Sequence, residues 1–137
     1  MNYSDRFVGI IAKTRPPGNS LHSVAEAVRK IGLIPEEDLP FDATIDTIEK
    51  FYSPDPPTQE MMNKATEFLK EQIVMHDWVD TNSETLANAL LYSPLGITVT
   101  AWFRRDGLYY FPEGMENNHD TTLVGCKQGE YWIVFDS

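Results

Sequence analysis

Leu21, Val24, Ala25, Val28 and Ile31 recur at helical spacing, between the stop Arg15-Pro16-Pro17-Gly18 and the breakers Gly32 and Pro35. Asn19 or Ser20 supplies the N-cap, Arg29 and Lys30 sit near the carbonyl end of the dipole, and Gly32 closes the helix. A second stripe, Met61, Met62, Ala65, Phe68 and Leu69, predicts a helix over residues 58–70 capped by Thr58. From residue 72 to 79 the period shortens to two: Ile73, Met75 and Asp77 oppose Val74, His76 and Trp78, as in a partly buried strand. Ser83 caps a third helix, residues 84–91, which Pro94 ends. β-Branched residues mark 95–102 as a strand, and 107–111 reads as another. The clearest β signal is the terminal pair, 121–126 and 131–135, joined across Lys127-Gln128-Gly129. Helices come first and a mostly antiparallel sheet last, an α+β order.

Residues 33–57 are acidic and broken by proline. The run Ser53-Pro54-Asp55-Pro56-Pro57 is the best internal linker, so the expected organisation is a helical subdomain over 1–57 and a β-rich subdomain over 58–137 within one compact unit.

Composition narrows the partners. Twenty-one acidic against eleven basic side chains leave a formal charge of −10, which argues against nucleic-acid or anionic-membrane binding and suits a basic protein partner. The one cysteine, Cys126, excludes an internal disulfide framework and a multi-cysteine zinc site and fits a reducing, cytoplasmic compartment. The first residues show no basic region followed by an apolar run, and no stretch is long and apolar enough to span a bilayer. His22 and His76 each lack a second histidine or cysteine at ligand spacing, so neither a metal nor a cofactor is expected.

Hairpin arithmetic isolates one constellation. With a loop of three or four residues centred near Gln128, His119 falls opposite Asp136 or Ser137. A carboxylate beside an imidazole fixes its tautomer and stabilises its protonated form, which a general base serving a nucleophile requires; the plain alternative is a surface ion pair at a sheet end. Cys126 does not suit the nucleophile's role. Seven residues of extended strand from His119 span about 23 Å, and the odd separation points the two side chains to opposite faces. The aromatic group Trp102, Tyr109, Tyr110, Phe111, Tyr131 and Trp132 either floors a peptide groove or packs a core.

Taken together, Asn118-His119-Asp120-Thr121-Thr122-Leu123-Val124-Gly125 and Tyr131-Trp132-Ile133-Val134-Phe135-Asp136-Ser137 resemble the papain-like cysteine proteases. That family carries Asn-His, an apolar strand ending Val-Gly-Tyr, a turn, and then Tyr-Trp-Ile/Leu-Val-Lys-Asn-Ser. Gly107-Leu108-Tyr109-Tyr110 is similar to its Gly-Ile-Tyr strand, and Gly32-Leu33, Glu36 and Leu39-Pro40-Phe41 to its Gly-Leu, Glu and Tyr-Pro-Tyr. The resemblance implies a papain-like fold, N-terminal helices followed by an antiparallel sheet or half-barrel, incomplete relative to the family. It implies His119 as catalytic base, Asp136 in place of the usual orienting asparagine, and Trp102 and Asn118 at the peptide cleft. The family's nucleophilic cysteine and oxyanion glutamine precede the segments matched here, and residues 1–30 contain no such motif. The chain is therefore expected to lack peptidase activity alone, as a truncated or split enzyme or a peptide-binding pseudoenzyme. Self-association or a complementing chain would cover its open core; the alternative is an acidic inhibitor binding a basic partner.

Overall fold

The computed structural model describes residues 2–16, 18–100, 103–110 and 114–136, apart from the side chains of Arg104 and Tyr109. Trp102, Phe111 and Ser137, all named above, lie outside the described residues. Among the described residues the chain is α+β, with five α-helices and an open three-stranded antiparallel sheet. No helix described is long and apolar enough to cross a membrane.

The chain divides into two units, the first ending at His76 and the second beginning at Asp77. The break thus falls later than the proline run suggests. Residues 53–57 lie inside the first unit because the helix after them buries Ala65 in the same core as Phe7, Ile10, Ile34 and Leu39. A proline-rich stretch stops regular structure without stopping packing.

In the first unit, α1 (Asp5–Ile11) has no counterpart in the sequence reading, since two turns are too few for a convincing period. Ser4 caps it, its hydroxyl accepting from the Phe7 N–H (3.1 Å) and donating to the Leu39 carbonyl (2.6 Å). α2 (Leu21–Ile31) has Ser20 as N-cap and Gly32 as C-cap, as expected. α3 (Ile48–Phe51) is a single turn capped by Thr47, and α4 (Gln59–Glu71) starts from Thr58. The expected stripe on α4 faces inward: Ala65 is fully buried, and Met61 and Met62 pack against the core.

The charged side chain of Arg6 is 6 % exposed. Its guanidinium donates to the carbonyls of Pro40 (2.8 Å), Lys50 (2.7 Å), Phe51 (3.1 Å) and Ser53 (2.7 Å), thereby satisfying the end of α3 and the turn after it. Arg6→Ala leaves these acceptors without a charged donor and is expected to cost about 2–4 kcal/mol in chemical denaturation. Arg6→Lys recovers only part of that, because an ammonium lacks the planar fork. A loss below about 1 kcal/mol for Arg6→Ala would mean that water replaces the guanidinium at little cost.

Residues 72–79 form no strand. The alternation is present, but no described strand pairs with it, and Ile73 and Met75 are 90 % and 82 % exposed. Period-two patterning makes a strand only where a ladder partner is available.

The second unit begins with α5 (Ser83–Ala89), capped by Asn82 rather than Ser83: the Asn82 amide oxygen accepts from the Thr85 N–H at 2.9 Å. β1 (Leu95–Val99), β4 (His119–Lys127) and β5 (Tyr131–Phe135) form the sheet in the order β1-β4-β5, all antiparallel. β2 (Phe103–Arg105) and β3 (Leu108–Tyr110) form a separate hairpin. Asp106 and Gly107 turn it with φ of 52° and 82°, the left-handed pair that a two-residue hairpin loop requires. Leu123 anchors the sheet's buried positions at 2 % exposure, with Thr121 beside it at 7 %.

Candidate functional site

The sheet places His119 at the start of β4 and Asp136 directly after β5. On β4's other side, His119 pairs with Val99 of β1, and the neighbouring Thr98 hydroxyl donates to the Asp120 carboxylate at 2.7 Å. The approach to His119 is fixed by the Asn118 N–H on the Val99 carbonyl (2.9 Å) and by the buried Thr100 hydroxyl, within 3.4 Å of Met115 O and 3.3 Å of Glu116 O. Thr121 in turn donates its hydroxyl to the Phe135 carbonyl (2.7 Å), which holds the residue before Asp136.

These constraints bring His119 Nε2 to 2.7 Å from Asp136 Oδ1, with the two side chains 35 % and 31 % exposed. The expected pair is present, but the register that makes it is different. The loop is Gln128-Gly129-Glu130, closed by the Glu130 N–H on the Lys127 carbonyl (2.9 Å), with Gly129 at φ 80°. Lys127 pairs with Tyr131 and Cys126 with Trp132; beyond a bulge at Val124 the register shifts, so that Leu123 pairs with Val134 and Thr122 with Phe135. Continuing that register puts Asp136 beside Thr121, and His119 reaches it along the diagonal on the same face.

The bulge also corrects the reading of Cys126. Its cross-strand partner Trp132 lies on the same face of β5 as Val134, the partner of Leu123, so Cys126 shares the face of Leu123, Thr121 and His119. Counting parity along one strand fails where an extra residue is inserted. Separation still excludes the thiol, because the strand length between the two residues is about 20 Å. Cys126 is a half-buried free cysteine.

Asn118 is exposed next to His119. Of the aromatic group, Tyr131 and Trp132 are 52 % and 38 % exposed on the edge strand β5, and Tyr110 pairs across the β2–β3 hairpin with Phe103, ring centroids 6.1 Å apart. These residues are surface features rather than a packed core.

A second cluster escapes the sequence reading. His22 on α2 and His76, 54 positions later, meet with Nδ1 and Nε2 3.3 Å apart. Glu26, one turn after His22 on α2, brings Oε1 to 3.8 Å from His76 Nε2. Hydrogen bonds from Arg29 and then Lys30 hold the Glu26 carboxyl far below the usual carboxylate range. A depressed carboxylate stabilises the fold above its unfolded pKa, and that contribution is lost as pH falls toward the folded value. Glu26→Gln should therefore lower the melting temperature slightly at pH 7, and the difference from the unaltered protein should shrink progressively below about pH 4. A difference that grows on acidification would show that the ion pairs are not its source.

The comparisons with known proteins add no relative: no family model matches the chain, and neither curated proteins nor solved structures contain a significant match.

Proposed function

We propose that this chain is the base-bearing portion of a papain-like cysteine peptidase domain, which hydrolyses peptide bonds when a cysteine-bearing helix from another segment or chain supplies the nucleophile. The observation that carries this reading is the 2.7 Å contact between His119 Nε2 and Asp136 Oδ1, in the order and motif context of that family. With Nε2–H donated to the carboxylate, Nδ1 is the nitrogen that exchanges protons with the reacting groups.

In the reaction, Nδ1 takes the thiol proton and the thiolate attacks the scissile carbonyl. Collapse of the tetrahedral adduct breaks the C–N bond, and the imidazolium returns its proton to the leaving amine. Nδ1 then deprotonates water, whose hydroxide displaces the thiolate from the acyl-thioester and leaves a carboxylic acid. Asp136 stabilises the imidazolium in both halves. Without the thiol, the same surface binds peptide and does not turn it over.

The test is labelling by an electrophilic peptide probe in a Cys126→Ser background. The chain alone should remain unlabelled, and fusion to a cysteine-bearing helix should restore labelling at that cysteine. A folded fusion that stays unlabelled with His119 intact sinks the enzyme reading. The charge of −10 favours a second reading, an acidic protein that captures a basic partner. Its affinity would fall steeply with rising salt, whereas a peptide-cleft interaction would change little.

A further inference from the structure

We propose that His22 and His76, with Glu26 as third donor, form a binding site for a borderline divalent cation, with zinc as the representative ion. The carrying observation is the spacing of the two facing nitrogens. A tetrahedral zinc ion with Zn–N bonds of about 2.0–2.1 Å holds its donor atoms about 3.3–3.4 Å apart. His22 Nδ1 and His76 Nε2 stand 3.3 Å apart, the separation of two nitrogens on one such ion. In the metal-free protein one ring donates a proton to the other across this gap. Metal binding requires both facing nitrogens to present a lone pair to the ion, so the proton between them is displaced.

Glu26 supplies the third ligand from a favourable place. It follows His22 by four residues, so both project from one face of α2. Its Oε1 lies 3.8 Å from His76 Nε2, about 0.5 Å beyond the separation that coordination requires. Among the described residues no group of three His, Cys, Asp or Glu side chains could hold a metal ion as it stands, so Glu26 must move to complete the site. The site is accordingly two fixed imidazoles plus a carboxylate that swings in, with water in the fourth position. Glu26 is also held by Arg29 Nε (2.6 Å) and Lys30 Nζ (2.8 Å), which compete with the ion for it and weaken the site. Imidazole donors without thiolate select zinc, nickel or copper over magnesium or calcium. The bound ion would tie the irregular segment at residue 76 to α2 within the first unit.

Isothermal titration of the full chain with zinc chloride at neutral pH should show one equivalent bound. His22→Ala and His76→Ala should each weaken binding at least about tenfold, Glu26→Gln about threefold, and His119→Ala not at all. His76→Gln, in an exposed irregular segment, should weaken binding without loss of helical circular dichroism. Absence of binding at millimolar zinc would overturn the site. So would unchanged affinity in the His22 and His76 variants, or a loss confined to His119→Ala.

Discussion

Gly32→Ala should destabilise the first unit by about 4 kcal/mol, a large fraction of a small domain's whole stability. Two costs act at one atom. Gly32 has φ of 99°, a conformation that L residues adopt only under strain. A Cβ at that position would also lie 2.0 Å from the Ala65 carbonyl oxygen and 3.2 Å from Leu69 Cγ. The oxygen belongs to the backbone of α4, so relief requires α2 and α4 to move apart, opening the core around Ala65. Gly129→Ala separates the two contributions. Gly129 has φ of 80°, but a Cβ there meets nothing within 4 Å, so it should cost only the conformational term, about 1 kcal/mol. Gly32→Ala is read as a shift in the guanidinium midpoint of the helical signal, and Gly129→Ala, in the second unit, as a shift in that of the tryptophan fluorescence, since Trp78, Trp102 and Trp132 all belong to that unit. Equal losses at the two glycines would show that the helices yield without cost and would refute the close-approach argument.

His119→Ala should lower kcat/KM by about 10³-fold in a fusion that carries the nucleophilic cysteine, or about 4 kcal/mol of transition-state stabilisation. The same substitution should change folding stability by less than about 1 kcal/mol, because the His119–Asp136 pair is partly solvated. Asp136→Ala should cost about 10- to 100-fold, by releasing the ring's tautomer and orientation. Asp136→Asn, which keeps an acceptor oxygen for Nε2–H, should stay within about tenfold of the unaltered fusion. If Asp136→Ala is as active as the parent, the 2.7 Å contact is a surface ion pair and nothing more. If His119→Ala leaves turnover intact, another group is the base.

The His119–Asp136 pair was legible from chain order, because two apolar runs either side of a short glycine-bearing loop must pair antiparallel. The alignment within that hairpin was not. The bulge at Val124 and the loop's centre at Gly129 depend on how β4 fits β1 and β5 together, and they turned a directly opposed pair into a diagonal one. The same bulge placed Cys126 on the face that simple alternation denied it. α1 was missed for a different reason: its seven residues owe their helical state to Ser4 and to burial of Phe7 and Ile10 against distant segments. Conversely, residues 72–79 carry a strand's alternation and lack a strand's partner, so propensity alone misled.

By itself, then, the sequence determined what depends on near neighbours. The apolar stripes of α2 and α4, their Ser20 and Thr58 caps, the termination at Gly32 and the terminal hairpin are all set by residues within a few positions of one another. Only the tertiary structure decided what depends on distance along the chain. It assigned Gly32 its second role, the backbone contact with Ala65; it turned Arg6 into the donor for four carbonyls 34 to 47 residues away; and it joined His22 to His76 across 54. Such contacts arise from packing a core whose members are scattered in sequence. No local period or spacing encodes which of them will meet.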